Sequence, residues 1–161
     1  MLLAERVNMS TTVGSRKPAI SREDELSPIS PESGLAVFVV FTSINWTIKA
    51  LEKAREIARP VGAKIIVVAV QVVPYPLPLD EPPVPMEFVI RRFEEKIDEF
   101  PERTQISPYL CRDLMEAFKR ILNPRCPIVI GMQERWWPTR NQRLARKLRR
   151  AGYNVITAKT E

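Results

Sequence analysis

The sequence contains no histidine at all. That removes the commonest general base and the commonest zinc ligand, so histidine-dependent triads and zinc enzymes are excluded. Cysteine is nearly absent too: Cys111 and Cys126 stand far beyond a CxxC spacing and have no third cysteine to recruit. They read as two buried thiols of a reducing compartment rather than as a disulfide or redox pair. No apolar run approaches the roughly 20 residues that a membrane-spanning helix needs. The opening MLLAERVN carries Glu5 and no sustained apolar region, so it does not read as a signal peptide. A cytoplasmic protein without membrane insertion is the expectation.

Acidic charge is scarce at one end of the chain. The formal net charge is +6, and from Gly131 to Glu161 eight basic residues (Arg135, Arg140, Arg143, Arg146, Lys147, Arg149, Arg150, Lys159) face only Glu134 and Glu161. That segment accounts for the whole excess. Elsewhere the carboxylates offer no chemistry of their own. Glu94, Glu95, Asp98 and Glu99 share the outer side of an amphipathic helix and read as a solvated face. Asp80 and Glu81 sit among prolines with too few oxygen ligands nearby for a metal. No metal site or catalytic residue is assigned.

What is present is a βαβ unit at residues 35–73. Leu35 to Phe41 and Ile65 to Val73 are short apolar runs rich in Val and Ile, as strands buried on both faces require. Between them Ile48, Leu51, Ala54, Ile57 and Ala58 recur at helical spacing, with Lys49, Lys53, Arg55, Glu56 and Arg59 mostly on the other side. Two parallel strands need such a crossover, and it is right-handed in nearly all proteins.

The rest of the chain repeats the alternation. Residues 1–34 have no apolar period and read as a disordered tail, leaving 35–161 as a single α/β domain. Pro74 to Pro85 is a stiff, proline-rich surface connection. Met86, Val89, Ile90, Phe93, Ile97 and Phe100 predict a helix that Pro101 ends. Ile106 to Cys111, with Pro108 inside, predicts a short strand at a sheet edge. Asp113 with Glu116 opens a helix through Leu122, and Pro127 to Met132 is a fourth, central strand. Thr139 with Gln142 opens a last helix whose arginines face out, and Gly152 caps it. Tyr153 to Ala158 is the fifth strand. This string predicts an open, parallel, doubly wound sheet with helices on both faces.

The stretch VFVVFTSINWTIKALEKAREIARPVGAKIIVVAVQVVP resembles the opening of universal stress protein domains. Ala50, Leu51, Ala54, Ala58, Gly62 and Ala63 stand where that family's alanine-rich helix and following turn expect them. The resemblance covers about residues 35–160 and implies a Rossmann-like sheet of five strands in the order 3-2-1-4-5. It also implies a switch-point cleft formed by Thr42, Ser43 and Asn45 on one side and Gly131, Met132 and Gln133 on the other, with Arg135 beside them. The family's nucleotide-binding members carry an acid after the first strand and a G-x2-G-x9-G-[ST] loop after the fourth. Here Thr42 replaces the acid, Glu134 replaces the second glycine, and Trp136-Trp137-Pro138 follow. Such side chains obstruct a phosphate cradle, which needs bare backbone N–H groups. The expectation is therefore no cofactor, with ATP or AMP at the cleft as the alternative.

Trp136 and Trp137 have two readings: one ring packs into the space that a nucleotide occupies in relatives, or the pair anchors a partner or stacked base. The face of Arg140, Arg143, Arg146, Lys147 and Arg150 is either simply solvated or a nonspecific nucleic-acid or acidic-partner surface. The leading expectation is a regulatory or stress-response binding module, homodimeric through its last strand as the resemblance implies.

Overall fold

The computed structural model describes residues 19–29, 35–97 and 103–160. In chain order the elements are β1 (Ser21–Arg22), β2 (Ala36–Val40), α1 (Ile44–Ala58), β3 (Lys64–Val72), α2 (Met86–Glu94), β4 (Thr104–Cys111), α3 (Leu114–Ile121), β5 (Ile128–Gln133), α4 (Arg140–Arg150) and β6 (Val155–Thr160). All the strands run parallel in one sheet of order β1-β4-β3-β2-β5-β6. The α/β, Rossmann-like class is as expected from the alternation. The strand count and full order are not. The five-stranded 3-2-1-4-5 sheet is corrected to six strands, because Ser21 and Arg22 pair with Tyr109 and Leu110 at the β4 edge.

The strands form because both faces bury apolar side chains. Val37, Val39, Ile65, Val67 and Val129 pack with Ala50, Leu51, Ala54 and Ala58 of α1 and Phe93 of α2. Phe38, Val40, Ile66, Val68, Ile128 and Ile130 pack with Ala117, Phe118 and Ile121 of α3 and Ala145 and Leu148 of α4. Successive strand residues point to opposite faces, so a strand with helices on both sides must be apolar at every position. The helix starts follow local chemistry. The Asp113 carboxylate accepts from the Glu116 N–H at 2.8 Å. The Thr139 hydroxyl accepts from the Gln142 N–H at 3.3 Å, and the Gln142 side chain accepts in return from the Thr139 N–H at 2.9 Å. That is the reciprocal capping box its sequence predicts.

Three other expectations are corrected. The strand at Pro108 is longer than its proline suggests: β4 pairs with β3 from Thr104 to Cys111, and β1 covers its far side just after Pro108. Regular α2 ends at Glu94, short of the expected Phe100, and residues 98–102 lie outside the described residues. Most tellingly, residues 19–29 are not a disordered tail but a strap along the β4 edge. Ile20 packs against the cluster of Ala69, Val73, Met86, Ile90 and Leu110. Leu26 and Ile29 pack against the α3 side of the core. The Glu23 carboxylate accepts from the Arg112 N–H at 3.2 Å, and the Ile29 N–H donates to the Ile121 carbonyl at 3.1 Å. Residues 1–18 and 30–34, Ser30-Pro31 included, lie outside the described residues. Among the described residues, no helix is long and apolar enough to cross a membrane.

Candidate functional site

The two groups of residues expected at the switch point do meet. β2 and β5 are neighbours, with Phe38 opposite Ile128 and Val39 opposite Val129, so their carboxyl ends lie side by side. Ser43, Asn45, Gln133 and Arg135 are exposed there, Thr42 is half-buried, and Gly131 and Met132 are buried. Of the expected residues, Arg135 and Gln133 engage each other, while Thr42 and Ser43 are tied through their backbone to Thr47. The Thr42 N–H donates to the Thr47 hydroxyl at 3.2 Å, and that hydroxyl, fully buried, donates to the Ser43 carbonyl at 2.6 Å. Arg135 Nε donates to Gln133 Oε1 at 2.8 Å. The Thr42 hydroxyl is buried and unpartnered.

Gly131 has a different job from the one its place in a glycine loop suggests. A Cβ built on it would lie 1.9 Å from the Trp46 carbonyl oxygen and 2.7 Å from its carbonyl carbon. The first turn of α1 therefore lies directly on β5, and backbone fills the space that a phosphate beside Gly131 would need. Asn141 Nδ2, in the first turn of α4, donates to the Gly131 carbonyl at 2.9 Å and fixes the same strand end. Sequence reasoning missed Trp46, Thr47 and Asn141. Their only signal is the glycine itself, since close helix–strand packing is one reason to keep one at such a place.

The indoles are where the structure departs furthest from expectation. Trp136 is 91% exposed and Trp137 72%, so neither fills an internal space and the packing reading is overturned. The rings lie against each other instead, centroids 5.3 Å apart and planes 37° apart. Pro138 restricts Trp137 to extended backbone, and the Thr139 cap fixes where the loop enters α4.

Arg140, Arg143, Arg146, Lys147, Arg149 and Arg150 are all exposed, while Ala145 and Leu148 bury the opposite side of the helix. Arg149 is tied to the Val155 carbonyl at 3.1 Å. The sheet edge beside the helix spends one further cation, because Lys159 is paired with Glu134. Among the described residues, none of Arg140, Arg143, Arg146, Lys147 and Arg150 meets a carboxylate in an ion pair. Two exposed indoles and five cations with no ion pair among the described residues thus occupy one loop and the helix that follows it.

Two other places carry groups with potential chemistry. An open groove of about 400 Å³ is lined by Arg22, Glu23, Asp24, Leu79, Asp80 and Arg120. It was invisible in the sequence because its wall is the strap. Its two arginines already have partners: Arg22 lies 3.9 Å from Asp80, and Arg120 lies 3.5 Å from Glu116 and donates to the Glu23 carbonyl. Cys111 and Cys126 are free and buried. Burial, with Glu23 and Asp113 nearby, pushes the Cys111 thiol up to about 11, so it stays protonated and unreactive at neutral pH.

Comparison with protein-family models and with curated proteins finds no match for this chain. What the fold itself defines is the class, a Rossmann-like α/β domain. Its most unusual surface is the Trp136–Trp137 loop with the outer face of α4.

Proposed function

We propose that the chain is a universal stress protein-like binding domain that works through its surface rather than through a nucleotide loop. Its ligand is a polyanion, held by the Trp136–Trp137 loop and the outer face of α4. One observation carries the reading: five cations without acidic partners among the described residues stand beside two indoles that are 91% and 72% exposed. Such an arrangement is electrostatically unfavourable while empty. Arg143 has Arg146 and Lys147 three and four residues on, and Arg146 and Lys147 stand likewise to Arg150, so like charges repel along the helix face. An anionic ligand relieves that repulsion and releases its own counterions, which makes binding steeply dependent on salt.

The direct test is retention on heparin, a polyanion without bases. The full chain should elute well above the salt at which a variant with Arg143→Ala, Arg146→Ala, Lys147→Ala and Arg150→Ala elutes. The four positions are exposed, so that variant should melt close to the parent. Equal elution of the two proteins would discard the reading.

The free edge of the sheet favours a second reading. Among the described residues β6 pairs only with β5, leaving its other side open, and an unpaired parallel edge invites a second copy. A homodimer through Val155–Thr160 predicts a sedimentation mass of twice 18.5 kDa at micromolar concentration. A single-chain mass throughout a concentration series would end that reading. A regulatory or stress-response role rests on likeness of fold alone. ATP or AMP at the switch point is the reading with least support, given the Trp46 backbone against Gly131.

A further inference from the structure

Heparin-like attraction explains the arginines but not the indoles. A buried tryptophan removes about 150–250 Å² of surface from water, so leaving two of them in solvent forgoes a large apolar contribution. Here both stay exposed on a loop held at each end, by Gln133–Arg135 on one side and by the Thr139–Gln142 capping box on the other. Acidic peptides satisfy arginines without needing any aromatic surface. An unpaired nucleobase is different, because it offers a flat π-face for an indole while its phosphate offers the anion. Duplex DNA keeps its base faces stacked internally and cannot present them.

The helix supplies the other half of the match. Arg140, Arg143, Lys147 and Arg150 follow one another at intervals of three, four and three residues, all exposed. At 1.5 Å per residue those steps advance about 4.5, 6 and 4.5 Å along the axis. The result is a row of cations that starts at the indole loop and runs away from it. Arg135, on the loop itself just before the indoles, adds a further exposed cation.

We propose that the ligand of this surface is single-stranded nucleic acid, unpaired bases stacking on Trp136 and Trp137 while Arg135, Arg140, Arg143 and Lys147 accompany the phosphates. This rests on the reading of the same loop and helix as a polyanion surface, and names its occupant. Binding is not sequence-specific, since every base has a stacking face.

The test uses the full chain and four probes: an oligothymidylate of about 12 nucleotides, a duplex of equal length, heparin, and polyglutamate. The single strand should bind at least tenfold more tightly than the duplex and quench tryptophan fluorescence. Its affinity should fall with log salt at a slope of about −3, the value for roughly four phosphate contacts on a single strand. Trp136→Ala should weaken single-strand binding about tenfold or more, far more than it weakens heparin binding, and melt with the parent. Trp136→Phe should restore much of the loss. If Trp136→Ala binds the strand as well as the parent does, or the duplex binds as tightly as the strand, while heparin is still held, the occupant is wrong and the polyanion reading stands. Polyglutamate displacing the strand at equal charge points instead to an acidic protein, and overturns the proposal. Loss of heparin binding as well removes both.

Discussion

Replacing Gly131 with alanine should destabilise the domain by about 3 kcal/mol, the upper end of the usual overpacking penalty. The added Cβ would lie 1.9 Å from the Trp46 carbonyl oxygen, whereas ordinary contact begins at 3.4 Å, so helix and strand must part by about 1.5 Å. Neither partner can give cheaply. The obstructing atoms are main chain, in the first turn of a helix whose buried face of Ala50, Leu51, Ala54 and Ala58 rests on the sheet. The three alanines are what allow α1 so close, and lifting it opens gaps along the whole row. Nor can β5 retreat, because Ile128 and Ile130 fill its other face and Asn141 holds the Gly131 carbonyl. Against a total stability of about 5–15 kcal/mol, the loss should lower the melting temperature by roughly 10 °C. Melting within about 2 °C of the parent would mean that α1 does not rest on β5 as described.

That contact also marks the boundary of what the sequence discloses. The β-strands were legible because burial on both faces leaves continuous apolar runs, as in Ala36–Val40 and Ile128–Ile130. The α3 and α4 starts were legible because Asp113 and Thr139 cap their own helices within three residues. Those are local codes. The position of α1 over β5 is not, since Trp46 and Gly131 are far apart in the chain and the glycine is compatible with a phosphate loop as well as with a close helix. Length of pairing was misjudged at β4, because Pro108 forbids one donated hydrogen bond and not the strand around it.

The strap failed for a related reason. Ile20, Leu26 and Ile29 follow no sustained helical or strand period, and Ile20 docks on one cluster of the core while Leu26 and Ile29 dock on another. Periodicity detects segments that bury one continuous face, so a chain that touches two separate clusters through isolated residues reads as polar and unstructured. At the candidate site, residue types were legible and exposure was not. A Trp-Trp-Pro loop after a central strand can fold inward or outward, and the choice depends on whether another element already occupies the inside. Here the α1 backbone does, at Gly131, and the indoles stand in solvent. The excess of arginine was visible from counting, but the lack of acidic partners needed the fold.

Phe93→Ala should be the most damaging substitution in a side chain, at about 4 kcal/mol, within the usual range for emptying a buried phenylalanine site. Phe93 has no exposed surface, and its ring meets Phe41 edge-on at 5.2 Å with planes 86° apart, the geometry that aromatic quadrupoles favour. It carries more than its own burial. α2 has only nine residues, too few to persist by helical propensity, so its docking depends on Met86, Ile90 and Phe93. Of these, Met86 and Ile90 pack in one cluster with Ala69, Val73 and Leu110, while Phe93 packs with Val37, Val39 and α1 in another. Phe93 is thus the side chain of α2 that reaches the sheet centre, and without it the helix keeps only its peripheral contact. Phe88 supplies the comparison on the same helix: it is 44% exposed, with Arg91 and Arg92 near its ring, and Phe88→Ala should cost about 0.5 kcal/mol or less. Urea unfolding of the two variants side by side measures the difference. If they lose the same stability, α2 is not held to the sheet through Phe93.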